Sequence, residues 1–512
     1  ALARQFLAPN TAWDDRVEVR LYDPGTLQLA QAGGDTSTVV ATARQTGRIA
    51  ADGSYTPLRR EARETYRVRP DAQLGTVITS PPRGLFLAQP DRNRSFRARN
   101  IYFLAPPFND ATPPAQLVPD RVFLPASANV ADSLVRRLLL GPTAPLAGAV
   151  VTSAPVGMRL RQPVVTGGDG TITVDLTKEA AALPGPERNR LSAQLVWTLR
   201  ETGPGFRALR LLADGRPLEV QGTTEPQDRT EWEEFDPEGL APRAPAYYIA
   251  DRRLRSLDGG LTGGPASEEG GQLFDTAAVS PVGSRLALLT DVGRGPFQLR
   301  TGPLAGPLGA PQLTAPGLRS LSWGSGERGL WLLQTGARQR VLLVPNETGA
   351  APLPVRVAGI AALGRLAGLR VSRDGARMAL WAIAPGRQDA ELWVGRIAGG
   401  GQRDLRVEGL RQVAPNLTGV VDAAWESGTS LVALGRPSVP GILPVRVAVD
   451  GSAVVPIRRL GLETATALSV AAAPGRPLVV GVSVGKANVL FREESGIFRR
   501  QPGPGVRPFY PG

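Results

Sequence analysis

The 512-residue sequence contains no cysteine and no histidine. Without cysteine there can be no disulfide, thiolate zinc site, haem thioether or cysteine nucleophile. Without histidine the commonest general base and the commonest metal ligand are gone too. Lysine is almost absent: Lys178 and Lys486 are the two lysines among 59 basic residues, which leaves 57 arginines. Aromatic residues make up only 5% and the arginines are spread along the chain. Stacking platforms and a concentrated basic stripe are therefore both missing, and nucleic acid is not an expected partner. No apolar run reaches the ~18 residues a membrane helix needs. The chain opens at Ala1 without an initiator Met or a basic leader, which reads as a signal peptide removed or left out. Any chemistry must come from carboxylates, hydroxyls, arginine and two lysines. No catalytic, cofactor-binding or metal-binding residue set is expected.

What is present is a net charge of +13 carried by arginine. Two readings stand side by side. An Arg-, Ala-, Gly- and Pro-rich chain is what a very GC-rich genome writes, and the charge is then a solvated surface. Alternatively the charge serves a polyanionic partner, such as an anionic membrane face, an anionic envelope polymer or an acidic protein surface.

Length suggests about three domains at ~150 residues each. The stretch Gly168–Gly222 shows its fold most clearly. Ile172, Val174 and Leu176 alternate as on a strand, and Leu191, Leu195, Val196 and Leu199 recur as on a helix. A second strand, Leu209 to Leu212, then lies between the Asp-Gly turns at 169–170 and 214–215. Asn129 caps a helix over Val130–Leu140 that Gly141-Pro142 stops. This is an α+β domain over 109–222. Residues 1–108 read as another α+β domain with a mostly antiparallel sheet. It starts with a short helix, Ala1 to Leu7, and a strand from Val17 to Leu21. A hairpin turn is expected at Asp52-Gly53, with later strands at 62–68, 76–79, 85–87 and 101–104. The Pro-rich run 105–119 reads as a stiff linker. Residues 223–246, with seven acids against Arg229 and Arg243, read as an acidic linker.

From 247 to 512 the chain repeats. A small residue, a Gly turn and an apolar strand recur at Ser280, Ser322, Ser372, Ala424 and Ala472, spaced by 42, 50, 52 and 48 residues. Periods of this length are those of a β-propeller. About five blades are expected, six being possible, because Tyr247–Ala250 with Arg253–Leu257 either completes the last blade or belongs to another.

This order of modules resembles the actinobacterial lipoprotein LpqB family: an N-terminal α+β domain, a GerM-like domain (the spore germination and sporulation type) and a β-propeller. The residues that carry the resemblance are LVRRLLLGP at 134–142, SAPVGMRL at 153–160, ITVDLT at 172–177 and AQLVWTL at 193–199. IYFLAPP at 101–107, LVPDRVFLP at 117–125 and the terminal FYPG at 509–512 add to it. The resemblance implies an extracytoplasmic protein, attached to the outer face of the cell membrane by a lipid on an N-terminal cysteine. It also implies association with the extracytoplasmic domain of a two-component sensor histidine kinase that controls cell-wall growth and division. The chain has no cysteine, so either the acylated residue was cut from it or this member is not a lipoprotein.

Candidate motifs each have a plainer reading. Gly324-Ser-Gly326-Glu-Arg-Gly329 matches a dinucleotide loop but runs into strand-like Leu330–Leu333, so it is a blade turn. Gly481–Lys486 falls one residue short of a phosphate loop, with Ala487 where a magnesium-binding hydroxyl should stand. Asp175 and Glu179 form a binding pair or, more simply, favour the start of a short helix. Asp275, Asp422 and Glu463 lie near the starts of inner blade strands, where a propeller glycosidase would hold its carboxylates. Trp323, Trp331, Trp381, Trp393 and Trp425 recur regularly in or beside blade strands, as inter-blade packing requires. The expectation is a non-enzymatic envelope scaffold that binds a sensor kinase. A glycan-binding or glycan-hydrolysing propeller is the alternative, and a bare envelope spacer the third reading. The partner-binding face is left unassigned.

Overall fold

A computed structural model describes the chain except residues 1, 16, 33–34, 107–115, 260–263, 265, 269–270, 272, 294, 328, 337, 347–349, 438–440 and 458–465. The first sheet runs Gly75–Ser80, Tyr55–Asp71, Asp35–Ala50, Glu18–Tyr22, Leu85–Ala88, with Gln28–Ala32 beside Asp35–Ala50. Asp52-Gly53 makes the expected turn between its two long strands. Gly53 sits at φ +80° and Asp52 accepts the Ser54 amide at 2.9 Å. The opening helix is a short 3-10 turn, Leu2–Phe6.

The central unit holds Thr171–Leu176 parallel to Ala208–Ala213, and the helix Gly185–Arg200 makes the crossover between them. The helix Val130–Leu139 starts at Asn129, whose side chain accepts the Asp132 amide at 2.9 Å. Two expectations need correcting. The strand 101–104, placed by its sequence in the first module, is the end of Phe96–Leu104. It pairs with Leu117–Pro125 and buries Ile101 and Phe103 in the central core. Residues 117–119 are thus strand rather than linker, while 107–115 of that run lie outside the described residues. The acidic run 223–246 is not a solvated linker either. Gln227-Asp228 pairs with Ala208-Leu209, and Trp232 and Phe235 bury in the same core. Two large aromatic rings remove enough apolar surface from water to pin a segment whose neighbours are all charged.

The propeller has six blades among the described residues. Five are four-stranded, one per sequence repeat, and each begins with its inner strand: Thr276–Val279, Leu318–Trp323, Arg365–Val371, Thr418–Ser427 and Thr466–Ala471. The second and third of these five join into one eight-stranded sheet, because their outer strands Leu353–Val357 and Arg406–Gln412 pair in parallel. We call these blades 2 to 6. Blade 1 is three-stranded. Tyr247–Ala250 pairs with Arg253–Ser256 on one side and, on the other, with the C-terminal strand Val506–Phe509, which becomes its inner strand. The extra strands ahead of the first repeat therefore form a sixth blade, and the two ends of the domain close the ring. Six apolar clusters fill the six gaps between neighbouring blades. The tryptophans act there: Trp323 donates to the Ala278 carbonyl at 3.0 Å and Trp425 to the Arg370 carbonyl at 3.2 Å, each reaching back to the preceding blade. No helix among the described residues is long and apolar enough to cross a membrane.

Candidate functional site

The inner strands all run the same way, so the propeller has one face at their C-terminal ends and one at their starts. The repeat's small residues sit at the C-terminal ends for a structural reason. Ser280 and Ser372 each accept, at 3.0 Å, the amide five residues on, closing the turn to the second strand. Ser322 instead accepts the Val371 amide of the next blade at 3.0 Å.

This face is occupied from within the chain. Arg373, fully buried, donates to the carbonyls of Pro511, Trp425 and Ala472 at 2.9, 3.0 and 3.1 Å, tying three inner-strand ends together. Its counter-ion, 3.6 Å away, is Glu238 from the acidic segment, which also accepts the Gly428 amide at 2.8 Å. Burial pushes the Glu238 carboxyl up to about 7 in spite of Arg373. Gln116 reaches the Arg373 carbonyl at 3.2 Å, and Arg377 binds the Pro119 carbonyl and Asp374. Farther out, Arg121 meets Asp450 at 3.3 Å and Arg92 of the first module donates to the Ser452 carbonyl at 2.9 Å. Both N-terminal modules thus dock on one face of the ring.

The opposite face is an open funnel of about 580 Å³. Its wall carries three carboxylates, Asp275, Asp291 and Asp422, and three guanidinium groups, Arg319, Arg370 and Arg507. A side groove of about 440 Å³ between blades 1 and 6 shares Asp275, Ser469 and Arg507 with it. The inner strands of blades 3 to 6 each change register here, at Arg319/Ser322, Leu366/Gly368, Thr418/Asp422 and Ala467/Ser469. A bulge inserts an unpaired residue and bends its strand. Here that leaves Val421 and Leu468 39% and 45% exposed at the mouth.

Of the three acids proposed from sequence, the funnel unites Asp275 and Asp422, and Glu463 lies outside the described residues. Both located acids are engaged. Asp275 accepts the Asp291 amide at 2.8 Å and Arg252 at 3.1 Å. Asp422 is buried, accepts the Val470 amide at 3.0 Å and faces Arg370 at 3.7 Å, and burial pushes its carboxyl up. Asp175 does not serve a helix start, because it points from a buried strand position. There it accepts the Gly215 amide and Arg161, both at 3.0 Å, bracing the second Asp-Gly turn. Glu179 lies in the short 3-10 turn Lys178–Ala180. Gly324 to Gly329 is a turn between two strands, closed by the Gly324 amide on the Gly329 carbonyl at 2.9 Å, and Gly485-Lys486 is a hairpin turn. The sequence reading missed Arg319, Arg370 and Arg507. They fall three and two residues before the anchors Ser322 and Ser372, and on the closing strand, so no constant spacing flags them.

Three family models match along the chain: the lipoprotein LpqB N-terminal domain over 1–93, a sporulation and spore germination domain over 100–219, and the lipoprotein LpqB β-propeller domain over 258–511. The "Lipoprotein LpqB" of Thermobifida fusca is 28% identical over 487 residues, covering 85% of this chain and 74% of its own. That of Streptomyces coelicolor is 28% identical over 553 residues, covering 100% of this chain and 86% of its own. Among solved structures, TolB from Acinetobacter baumannii aligns with a TM-score of 0.41 at 13% identity, over 52% of this chain and 66% of its own. That likeness is too distant to bear on function.

Proposed function

The chain belongs to the LpqB lipoprotein family, whose members are membrane-anchored envelope proteins, and on that premise we propose that it is a non-enzymatic accessory of envelope signalling. In this reading it stands on the outer face of the cell membrane and binds the extracytoplasmic domain of a two-component sensor histidine kinase. The observation that carries the reading is the division of labour between the propeller's faces. One face is used up by the chain's own modules through Arg373, Glu238 and Arg377, so the funnel face is the one presented outward. The relatives' name denotes a lipoprotein rather than an enzyme, which is in keeping with this role.

Calorimetric titration with the purified sensor domain, at low and physiological salt, tests the proposal. Saturable one-to-one binding that weakens with salt is expected from an arginine-lined surface. A flat titration at both salts would refute the partner assignment.

The glycan reading keeps one supporting observation, the shared funnel of Asp275 and Asp422. Both carboxylates already hold backbone amides and arginines, which counts against a free acid and a free base. Asp275→Asn and Asp422→Asn with unchanged turnover of cell-wall fragments would remove it.

A further inference from the structure

We propose that the funnel, with its side groove, is a binding site for an extended acidic peptide segment of a partner protein. Carboxylates of that segment are taken by Arg319, Arg370 and Arg507, and its aliphatic side chains rest on the exposed Val421 and Leu468. The site is defined by its own chemistry and does not depend on which protein supplies the segment.

The argument rests on an imbalance of donors and acceptors. The funnel's acids spend their lone pairs on the fold: Asp275 on the Asp291 amide and Arg252, Asp422 on the Val470 amide, and Asp291 on the Gly293 amide at 2.8 Å. Its arginines do so only in part. A guanidinium carries five N–H donors, yet Arg370 gives one to the Leu369 carbonyl at 3.1 Å and lies 3.7 Å from Asp422, and Arg507 binds the Thr276 hydroxyl. Arg319 is exposed and makes no hydrogen bond or ion pair among the described residues. The wall therefore offers several charge-assisted donors without matching acceptors, which is the complement of carboxylates.

Shape narrows the ligand further. The funnel and groove adjoin, sharing Asp275, Leu468, Ser469 and Arg507 in their walls. Phe297, Phe509 and Trp381 contribute apolar wall to the funnel. A free inorganic anion would leave that wall in contact with water, whereas a chain of alternating acidic and aliphatic side chains covers both kinds of surface.

The test uses the full chain and the synthetic peptide acetyl-Glu-Leu-Asp-Gly-Glu-Leu-amide, with its Gln/Asn counterpart as the neutral control. Saturable one-to-one binding of the acidic peptide at low salt is expected, with none by the neutral one. Arg319→Ala should loosen it by about two- to five-fold, the scale of one lost charge pair at a partly exposed site. The double variant Arg319→Ala/Arg507→Ala should loosen it further. The Arg319 side chain makes no hydrogen bond or ion pair among the described residues, so an unchanged unfolding temperature controls for folding in the single variant. Equal binding of both peptides, no effect of Arg319→Ala, or no saturable binding at low salt would each overturn the site. Inorganic phosphate displacing the peptide at equal concentration would overturn its assignment to peptides. Because the probe is synthetic, its failure leaves the kinase reading to the titration with the sensor domain, and failure of that titration leaves this site to the peptide.

Discussion

The two faces of the propeller are built from the two ends of the same six inner strands, yet they use arginine in opposite ways. On the closed face Arg373 and Arg377 are buried and spend their donors on backbone carbonyls and on Glu238 and Asp374. On the open face Arg319 and Arg507 are exposed, and Arg319 has no partner among the described residues. A buried guanidinium is tolerated only when its hydrogen bonds are nearly complete, since the cost of an unpaired buried charge exceeds what most single contacts return. An exposed one keeps its hydration until something better arrives. Burial therefore separates structural arginines from those free to bind.

The comparison predicts that closed-face substitutions change stability, and open-face substitutions change binding. The largest effect is expected for Arg373→Ala. It strands three inner-strand carbonyls and a buried carboxylate, which should lower unfolding free energy by about 3–5 kcal/mol in denaturant titration. A loss below about 1 kcal/mol would mean the strand ends are held by something else.

Next in size is a pH effect at Glu238. Burial raises its carboxyl from 4.5 to about 7, so the folded chain keeps this proton at pH values where the unfolded chain has lost it. The stability tied to that proton is complete below about 4.5 and is lost as pH rises to about 7, on the order of 3 kcal/mol. Glu238→Gln should flatten that part of the stability-against-pH curve. An unchanged slope would place the titrating group elsewhere.

Trp425→Phe should cost about 1–2 kcal/mol, because the Arg370 carbonyl loses its donor and the blade 4–blade 5 gap loses volume. Smallest of all, Arg319→Ala should leave stability within about 0.5 kcal/mol of the parent chain. A larger loss there would erase the contrast between the faces.

How much of this was legible in the sequence depended on periodicity. Ile172, Val174 and Leu176 alternate, and Leu191, Leu195 and Leu199 recur every fourth residue, so that strand and helix could be read directly. Most of Asp35–Ala50 could not, since its Thr, Ala, Arg and Gln residues alternate without bulky apolar side chains. The blade repeat was visible because a small residue recurs at each inner-strand end, where Ser280 and Ser372 close the turn and Ser322 bonds the next blade. The sixth blade was ambiguous because its inner strand, Val506–Phe509, lies some 250 residues from the strands it pairs with. Trp232 and Phe235 were hidden among seven acids, and composition outvoted two aromatic rings that decide where the segment goes. The funnel arginines escaped notice because no constant spacing relates them to the repeat.

The most direct test of the account is hydrogen–deuterium exchange of the full chain with and without the sensor kinase's extracytoplasmic domain. The account predicts new protection at the inner-strand starts, residues 275–277, 318–321, 420–422, 466–469 and 505–509, with the inner-strand ends at 280–284, 425–429 and 471–476 unchanged. Protection at those ends instead, or at neither set, would contradict it.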